Sequence, residues 1–164
     1  MKLLKAGLTL AVALLAVNEQ TAQAATTTTS FLVSATVSNA CIVVATPLSF
    51  LIYDPSAADN DKTSTITVTC TLGTPYNIGL NKGVTGASTT TRQMIDTVST
   101  NVINYSLFSN AGLTTNWGDV IGTDTVAATA TLVPAVHTVY GRIPTGQYVT
   151  AGSYNDTINV TVTY

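Results

Sequence analysis

The feature that most constrains this chain is an alternation of apolar and small polar residues with a period of two. Between residues 65 and 70, Ile66, Val68 and Cys70 share one face, and threonines occupy the other. Successive side chains of a β-strand point to opposite faces of its sheet, so this pattern indicates strands with one buried face. It predicts strands over residues 31–38, 49–53, 65–71, 76–81, 102–108, 126–133, 137–143 and 155–164.

The residues between these segments favour an antiparallel arrangement. Turn-forming pairs such as Asp54-Pro55 and Lys82-Gly83 separate the predicted strands at short intervals. Short strands joined by tight turns are typical of an all-β sandwich. We therefore predict an all-β fold.

Threonine supplies much of the polar surface in place of charged residues. Only 9% of the chain is charged, whereas soluble domains average about 25%, and 46% is hydrophobic. Threonine is β-branched and half polar, so it suits the solvated face of a sheet. The net charge of −2 leaves no basic surface for a phosphate backbone, and we expect no nucleic-acid partner.

The N-terminus has the three parts of a secretory signal peptide. Lys2 and Lys5 precede an apolar run over residues 8–17, and Ala22 and Ala24 form a small-x-small cleavage site. The apolar run is too short for a transmembrane helix, which needs about 20 residues. We predict a cleaved signal peptide over residues 1–24, export to the periplasm, and no membrane span in the mature chain.

Two cysteines, Cys41 and Cys70, remain after this processing. An exported chain meets an oxidising compartment in which disulfides persist, so we predict that these two are paired. A metal or redox site is disfavoured, because there is no C-x-x-C motif and His137 is the only histidine.

No residue pattern indicates catalysis, a metal site or a cofactor. His137 has no nucleophile motif around it. The carboxylates of Asp54, Asp59 and Asp61 miss the spacing of a calcium loop, so a solvated loop is expected. Trp117 lies in a predicted turn over residues 115–119, where it either closes one end of the sandwich or stacks on a sugar. We expect a protein that is not an enzyme and that needs no metal or cofactor.

Two segments present apolar faces that have more than one interpretation. The segment before Cys41 is either the first strand of the domain's own sheet or a strand given to another molecule, and its apolar face consists of Phe31, Val33, Ala35 and Val37. The last predicted strand is either ordinary core or a surface for a partner, and its apolar face consists of Ile158, Val160, Val162 and Tyr164.

Several segments, in their order along the chain, resemble the spore coat protein U domain family. They are residues 37–41 (VSNAC), 46–54 (TPLSFLIYD), 67–71 (TVTCT), 76–83 (YNIGLNKG), 104–108 (NYSLF), 139–147 (VYGRIPTGQ) and 151–164 (AGSYNDTINVTVTY). The G-R-I-P and G-x-Y-x-D-T segments are the most specific. One departure is Leu51, which stands where such domains often have glycine after the phenylalanine.

The resemblance implies an incomplete immunoglobulin-like, pilin-type β-sandwich that lacks its final strand and exposes an apolar groove. It implies a structural subunit of a secreted surface pilus of the archaic chaperone–usher type, which supports adhesion or biofilm formation. A periplasmic chaperone would fill the groove first. The N-terminal extension of a neighbouring subunit would then replace the chaperone, with an outer-membrane usher as the third partner.

Mapped onto this chain, the resemblance makes residues 25–38 the candidate donor extension and residues 39–164 the sandwich domain. The inserted side chains would be Phe31, Val33, Ala35 and Val37. The groove lining, or the strand that pairs with the chaperone, would include Ile158, Val160, Val162 and Tyr164. Two other functions stay open: a stand-alone secreted coat or matrix protein, and a small carbohydrate-binding adhesin module that uses Trp117.

Overall fold

The computed structural model describes residues 22–164, and the chain divides into one unit that ends at Ala35 and another over Thr36–Tyr164. Residues 22–40 belong to no strand or helix and are exposed. The predicted signal peptide lies outside the described residues, apart from residues 22–24. Among the residues that are described, no helix is long and apolar enough to cross a membrane.

The second unit is built from antiparallel strands. In chain order they are β1 (Cys41–Ala45), β2 (Asn60–Cys70), β3 (Pro75–Leu80), β4 (Arg92–Asp96), β5 (Val102–Phe108), β6 (Val126–Thr129), β7 (Ala135–Ile143), β8 (Tyr154–Asn155) and β9 (Val160–Thr163). A six-stranded sheet has the order β1-β2-β7-β5-β4-β8, and a three-stranded sheet has the order β6-β3-β9. The all-β fold class is confirmed.

The core consists of apolar side chains from alternate strand positions of both sheets. On β2, Ile66 and Val68 are buried and the intervening threonines are more exposed, as the alternation predicts. Trp117 is 1% exposed, and its indole Nε1 donates to the carbonyl oxygen of Ile78 at 2.9 Å. Trp117 is therefore part of the core and is closed to a sugar ligand.

A hydrogen bond between side chains joins the two sheets. The hydroxyl of Tyr76 on β3 lies 3.0 Å from Nε2 of His137 on β7, and the two rings meet edge to face. Burial lowers the pKa of His137 and raises the pKa of Tyr76. Both groups are therefore neutral near pH 7, and His137 has a structural role.

A buried arginine ties β3, β4 and the segment around Trp117 together. Arg92 is 0% exposed, and its guanidinium donates at 2.6–2.8 Å to backbone carbonyl oxygens. The acceptors are the carbonyls of Leu80, Asn81, Thr89 and Trp117. Burial lowers the pKa of Arg92, but an arginine side chain stays charged in proteins. These carbonyls therefore satisfy a charge that burial alone would make very costly.

The predicted disulfide is present, and it joins directly opposed residues of two neighbouring strands. Cys41 opens β1 and pairs in register with Cys70 at the end of β2, with their Cα atoms 4.0 Å apart. The carbonyl of the preceding Ala40 accepts a hydrogen bond from the backbone N–H of Thr71 at 2.9 Å. The disulfide therefore holds the point at which the N-terminal segment leaves the sheet.

Four of the predicted strands are wrong in whole or in part. The strand predicted over residues 126–133 ends at Thr129. Residues 31–38 form no strand, because the first sheet pairing begins at Cys41. Residues 49–53 form none either, because Leu51 has a φ of 57°, a left-handed backbone that interrupts an extended strand. The segment over 155–164 is split into β8 and β9, since Asp156 accepts backbone hydrogen bonds from Val84 and Thr157 between them.

Two strands were not predicted from the sequence. The first, β1, is a continuous apolar run and shows no alternation. The other, β4, begins and ends with the charged residues Arg92 and Asp96, both of which are buried. Periodicity alone detects neither kind of strand.

Reduction of the Cys41–Cys70 disulfide is expected to lower the stability of the domain. The crosslink removes conformational freedom from the unfolded chain, and the chain-entropy model values this at about 3–4 kcal/mol. The urea midpoint, followed by Trp117 fluorescence, should fall when reductant is added. A Cys41→Ser/Cys70→Ser variant is the control, since reductant should not move its midpoint. Equal midpoints for the oxidised and reduced native protein would contradict this.

Stability is expected to fall as the pH drops below about 6.5, the ordinary pKa of histidine. Because the folded protein lowers the pKa of His137, the unfolded chain takes up this proton first, and the free energy of unfolding decreases until the folded state is protonated too. The His137→Gln variant should lack this part of the pH dependence. Thermal unfolding of both proteins from pH 8 to pH 5 tests it, and parallel curves would refute the role of His137.

Candidate functional site

The three-stranded sheet has an unpaired edge at β9. This strand pairs with β3 through residues 77–80, and within the described chain no strand pairs with its other side. The other sheet has six strands, twice as many as this one. An unpaired strand edge is a position that can accept another strand.

A large cleft opens beside β9 and reaches into the core. Its volume is about 1070 Å³, at the upper end of the range of small-molecule pockets. We call it the open cleft. Its sides include residues 45–53 and 149–158. Its floor is apolar and comes from both sheets: Ile66, Leu80, Met94, Ile103, Tyr105, Leu107, Val139 and Ile143.

One side of the open cleft is the wall segment, residues 46–53, which follows β1. Leu48 and Phe50 of this segment pack over Gly141 on β7. A Cβ atom at Gly141 would lie 2.8 Å from Leu48 Cδ1 and 2.9 Å from Phe50 Cζ. A side chain at this position of the G-R-I-P motif would therefore force Leu48 and Phe50 to shift.

Side chains, and not a strand ladder, hold the end of the wall segment. The Asn60 Nδ2 group donates to the carbonyl oxygens of Phe50 at 3.0 Å and Ile52 at 3.1 Å. The Tyr53 hydroxyl donates to the carbonyl of Pro144 at 2.8 Å and accepts from the backbone N–H of Gln147 at 3.0 Å. These bonds fix the wall segment while leaving the cleft beside it unfilled.

Gln147 replaces a backbone pairing that Pro144 cannot make. Proline has no N–H group and so cannot donate to a neighbouring strand. The Gln147 side-chain amide accepts from the N–H of Asn104 at 2.7 Å and donates to the carbonyl of Asn104 at 2.9 Å. The Gln147 side chain of the P-T-G-Q segment therefore continues the pairing of β7 with β5 beyond Pro144 and positions this part of the cleft.

The carboxylate of Asp156 organises another part of the cleft. It accepts from the backbone N–H of Val84 at 2.8 Å and from the Tyr105 hydroxyl at 2.5 Å. Burial and this hydrogen bond raise the pKa of Tyr105, so its hydroxyl stays protonated. Gly83 has a φ of 79°, and a Cβ there would clash with the Asp156 carboxylate. Asp156 therefore binds the turn at Gly83, and its role is structural.

The apolar residues predicted on the last strand do not all reach the open cleft. Ile158 and Val160 line it, and both pack against the buried core. Val162 also packs against the core but does not line the cleft. Tyr164 is 57% exposed and lies by a shallow groove that Pro75 and Tyr76 help to form. The structure therefore brings two of these four residues together at the cleft.

The predicted donor residues are exposed in both units of the chain. In the first unit, Phe31 and Val33 are at least 80% exposed, and Ala35 is exposed as well. In the second unit, Val37 is exposed. None of them belongs to a strand.

The wall segment, Gln147 and Asp156 were not predicted as parts of the site. The sequence does contain a signal for them, because all three lie in segments that resemble the spore coat protein U domain family. What periodicity cannot show is that hydrogen bonds of single side chains, such as those from Asn60, stand in for strand pairing.

The acidic loop has a structural explanation. Arg142 pairs with Asp61 at 2.7 Å and with Asp59 at 3.3 Å, and the Asp54 carboxylate accepts hydrogen bonds from Ser56. The pKa of Asp61 is lowered mainly by its hydrogen bond to Arg142. Over residues 22–164, no group of three or more His, Cys, Asp or Glu side chains is arranged to hold a metal ion.

Comparison with known proteins agrees with this architecture. The model of the Spore Coat Protein U domain matches residues 27–161. Protein U of Myxococcus xanthus is 34% identical over 158 residues, which cover 87% of this chain and 88% of that protein.

A solved structure shows the same fold. It is the crystal structure of the CsuC-CsuE chaperone-tip adhesion subunit pre-assembly complex from the archaic chaperone-usher Csu pili of Acinetobacter baumannii. One of its chains matches 79% of this chain with a TM-score of 0.56 and 24% identity, and the match spans 40% of that chain. With its family match over most of its length, the present chain belongs to the spore coat protein U domain family.

Proposed function

We propose that this protein is a structural, non-enzymatic subunit of a secreted surface pilus that is assembled through the chaperone–usher pathway. The observation that carries the proposal is the open cleft beside the unpaired edge of β9, with apolar core residues on its floor. An apolar cleft next to a free strand edge offers both backbone hydrogen bonds and side-chain pockets to an added strand.

The strand that fills the cleft comes from a second copy of the chain or from a related subunit. The extension over residues 25–38 carries a face of alternating apolar side chains, namely Phe31, Val33, Ala35 and Val37. An inserted strand places such a face in the cleft, where Ile158 and Val160 are among the lining residues, and pairs its backbone with β9. Because donor and acceptor are different surfaces of one subunit, the contact propagates as an open filament.

Before assembly, a periplasmic chaperone occupies the same cleft, and an outer-membrane usher exchanges it for the next subunit. The supporting observation is that the fold matches a chain from a chaperone–subunit pre-assembly complex. A signal peptide directs the chain to the periplasm and is cleaved there. The mature subunit is then incorporated into a pilus on the cell surface. The pilus serves adhesion or biofilm formation.

The alternative is a secreted coat or matrix protein that folds and acts alone. Its support is the family itself, since the relative with 34% identity is Protein U of Myxococcus xanthus. A stand-alone carbohydrate-binding module loses its main support, because Trp117 is buried and its indole is already hydrogen-bonded to Ile78.

A peptide of residues 25–38 is expected to stabilise the domain that lacks its own extension. Residues 39–164 expressed in the periplasm should be unstable or bound to a chaperone, because the open cleft beside the core is an empty apolar space that forgoes packing contacts. Adding the peptide should raise the melting temperature by several degrees, while a peptide of the same composition in scrambled order should not. A stable monomer that is indifferent to the peptide would favour the stand-alone coat protein.

A charge on the inserted face is expected to stop polymerisation. Val33→Asp or Val37→Asp would bury an unpaired carboxylate in the open cleft, which is costly, while the subunit itself stays soluble. The matched control is Ser34→Asp, which places the same charge on the opposite face of the extension. Multimer ladders on unboiled gels measure assembly, because strand-exchanged polymers are kinetically trapped. Full-length filaments from Val33→Asp would refute the donor assignment.

A further inference from the structure

Two leucines in the described part of the chain have a left-handed backbone. Leu51 has a φ of 57° and Leu113 a φ of 53°, and the other positive φ angles there belong to glycines. A side chain with a Cβ is disfavoured in this region, and a bulky residue there is strained. Strain of this kind persists where the surrounding structure enforces it, and it points to a function.

The side chain of Leu51 is not packed in the core, although its backbone is strained. It is 80% exposed, and the adjacent Ile52 is 90% exposed. Both residues belong to the wall segment and line the open cleft. The Asn60 side chain bonds the carbonyls of Phe50 and Ile52, on either side of Leu51, so the bend is held in place. The bend sets two consecutive aliphatic side chains at the mouth of the cleft.

The extension has a matching apolar side chain on its outward face. When Phe31, Val33, Ala35 and Val37 point into a cleft, the alternation turns Leu32, Ser34, Thr36 and Ser38 outward. Leu32 is the apolar member of this outward set and is 90% exposed. A strand seated in the cleft with its outward face in water would leave Leu32 uncovered.

We propose that Leu51 and Ile52 form a rim contact that covers Leu32 of the strand donated by a second copy of this chain. This inference rests on the proposed function and adds a contact outside the cleft floor. The rim contact increases the affinity of the cleft for this chain's own extension relative to a strand that has a polar residue at the same position. It also gives the strained bend at Leu51 a purpose, since a glycine there would remove the strain but also the contact.

The test uses the full-length chain carrying Val33→Asp, so that its own extension does not compete for the cleft. A fluorescent peptide of residues 25–38 is titrated into this acceptor and into its Leu51→Gly derivative. Removing the rim leucine should weaken peptide binding about tenfold in Kd, as expected for partial loss of one leucine's burial. It should also raise the melting temperature of the free acceptor by about 2–4 °C, because strain is relieved.

The matched control is Leu113→Gly, which relieves the same backbone strain at a residue that does not line the open cleft. It should raise the melting temperature and leave the peptide Kd unchanged. A peptide with Leu32→Ser separates contact from wall flexibility. Its Kd for the acceptor with Leu51 in place should be about tenfold higher than that of the native peptide. Combining it with the Leu51→Gly acceptor should raise the Kd little further, because both changes remove the same contact.

Each outcome decides between the hypotheses. Additive losses from Leu51→Gly and Leu32→Ser, or an unchanged Kd with Leu51→Gly, would overturn the rim contact while the donor-strand proposal stands. An acceptor that binds no peptide at all would overturn both.

Discussion

The structure depends on an unequal pair of sheets. Over residues 22–164, six strands on one side face three on the other, and the outer side of β9 in the smaller sheet pairs with no strand. Apolar residues of both sheets form the floor of the open cleft beside this edge. Most floor residues are themselves at most 5% exposed, so the cost of the cleft is the packing contacts that the empty space beside them forgoes. Under the proposed function, a strand that completes the sandwich would supply these missing contacts.

A cleft of this size tends to collapse unless its sides are held apart, because an empty apolar space forgoes packing contacts. Here the sides are held by polar side chains that bond to the backbone. Asn60 and Tyr53 hold the wall segment. Gln147 bonds to the backbone of β5, and Asp156 binds the turn at Gly83. Such bonds satisfy backbone groups locally, so the segments stay ordered without a neighbouring strand.

The low charge of the chain fits this arrangement. Threonine covers the outer face of β2, and one buried arginine, Arg92, bonds to carbonyl groups where three segments meet. The surface is thus mostly uncharged and hydrogen-bonding, while the exposed aliphatic residues include Leu51 and Ile52 beside the cleft and Leu32 in the extension. The proposed completion of the sandwich by another molecule would account for both the high apolar fraction and the few charges.

The sequence by itself determined the fold class, the disulfide and the inward faces of strands such as β2, because each follows from local alternation or from the number and context of the cysteines. It also pointed to the family through motifs such as G-R-I-P. Only the tertiary structure decided that residues 49–53 are a bent wall and not a strand, and that Tyr164 lies away from the cleft while Ile158 and Val160 line it. The reason is physical: a period of two reports which side of a strand is apolar. Whether that side meets a partner sheet or an open cleft depends on hydrogen bonds and close approaches between residues far apart in the chain, such as Asn60 with Phe50 and Leu48 with Gly141.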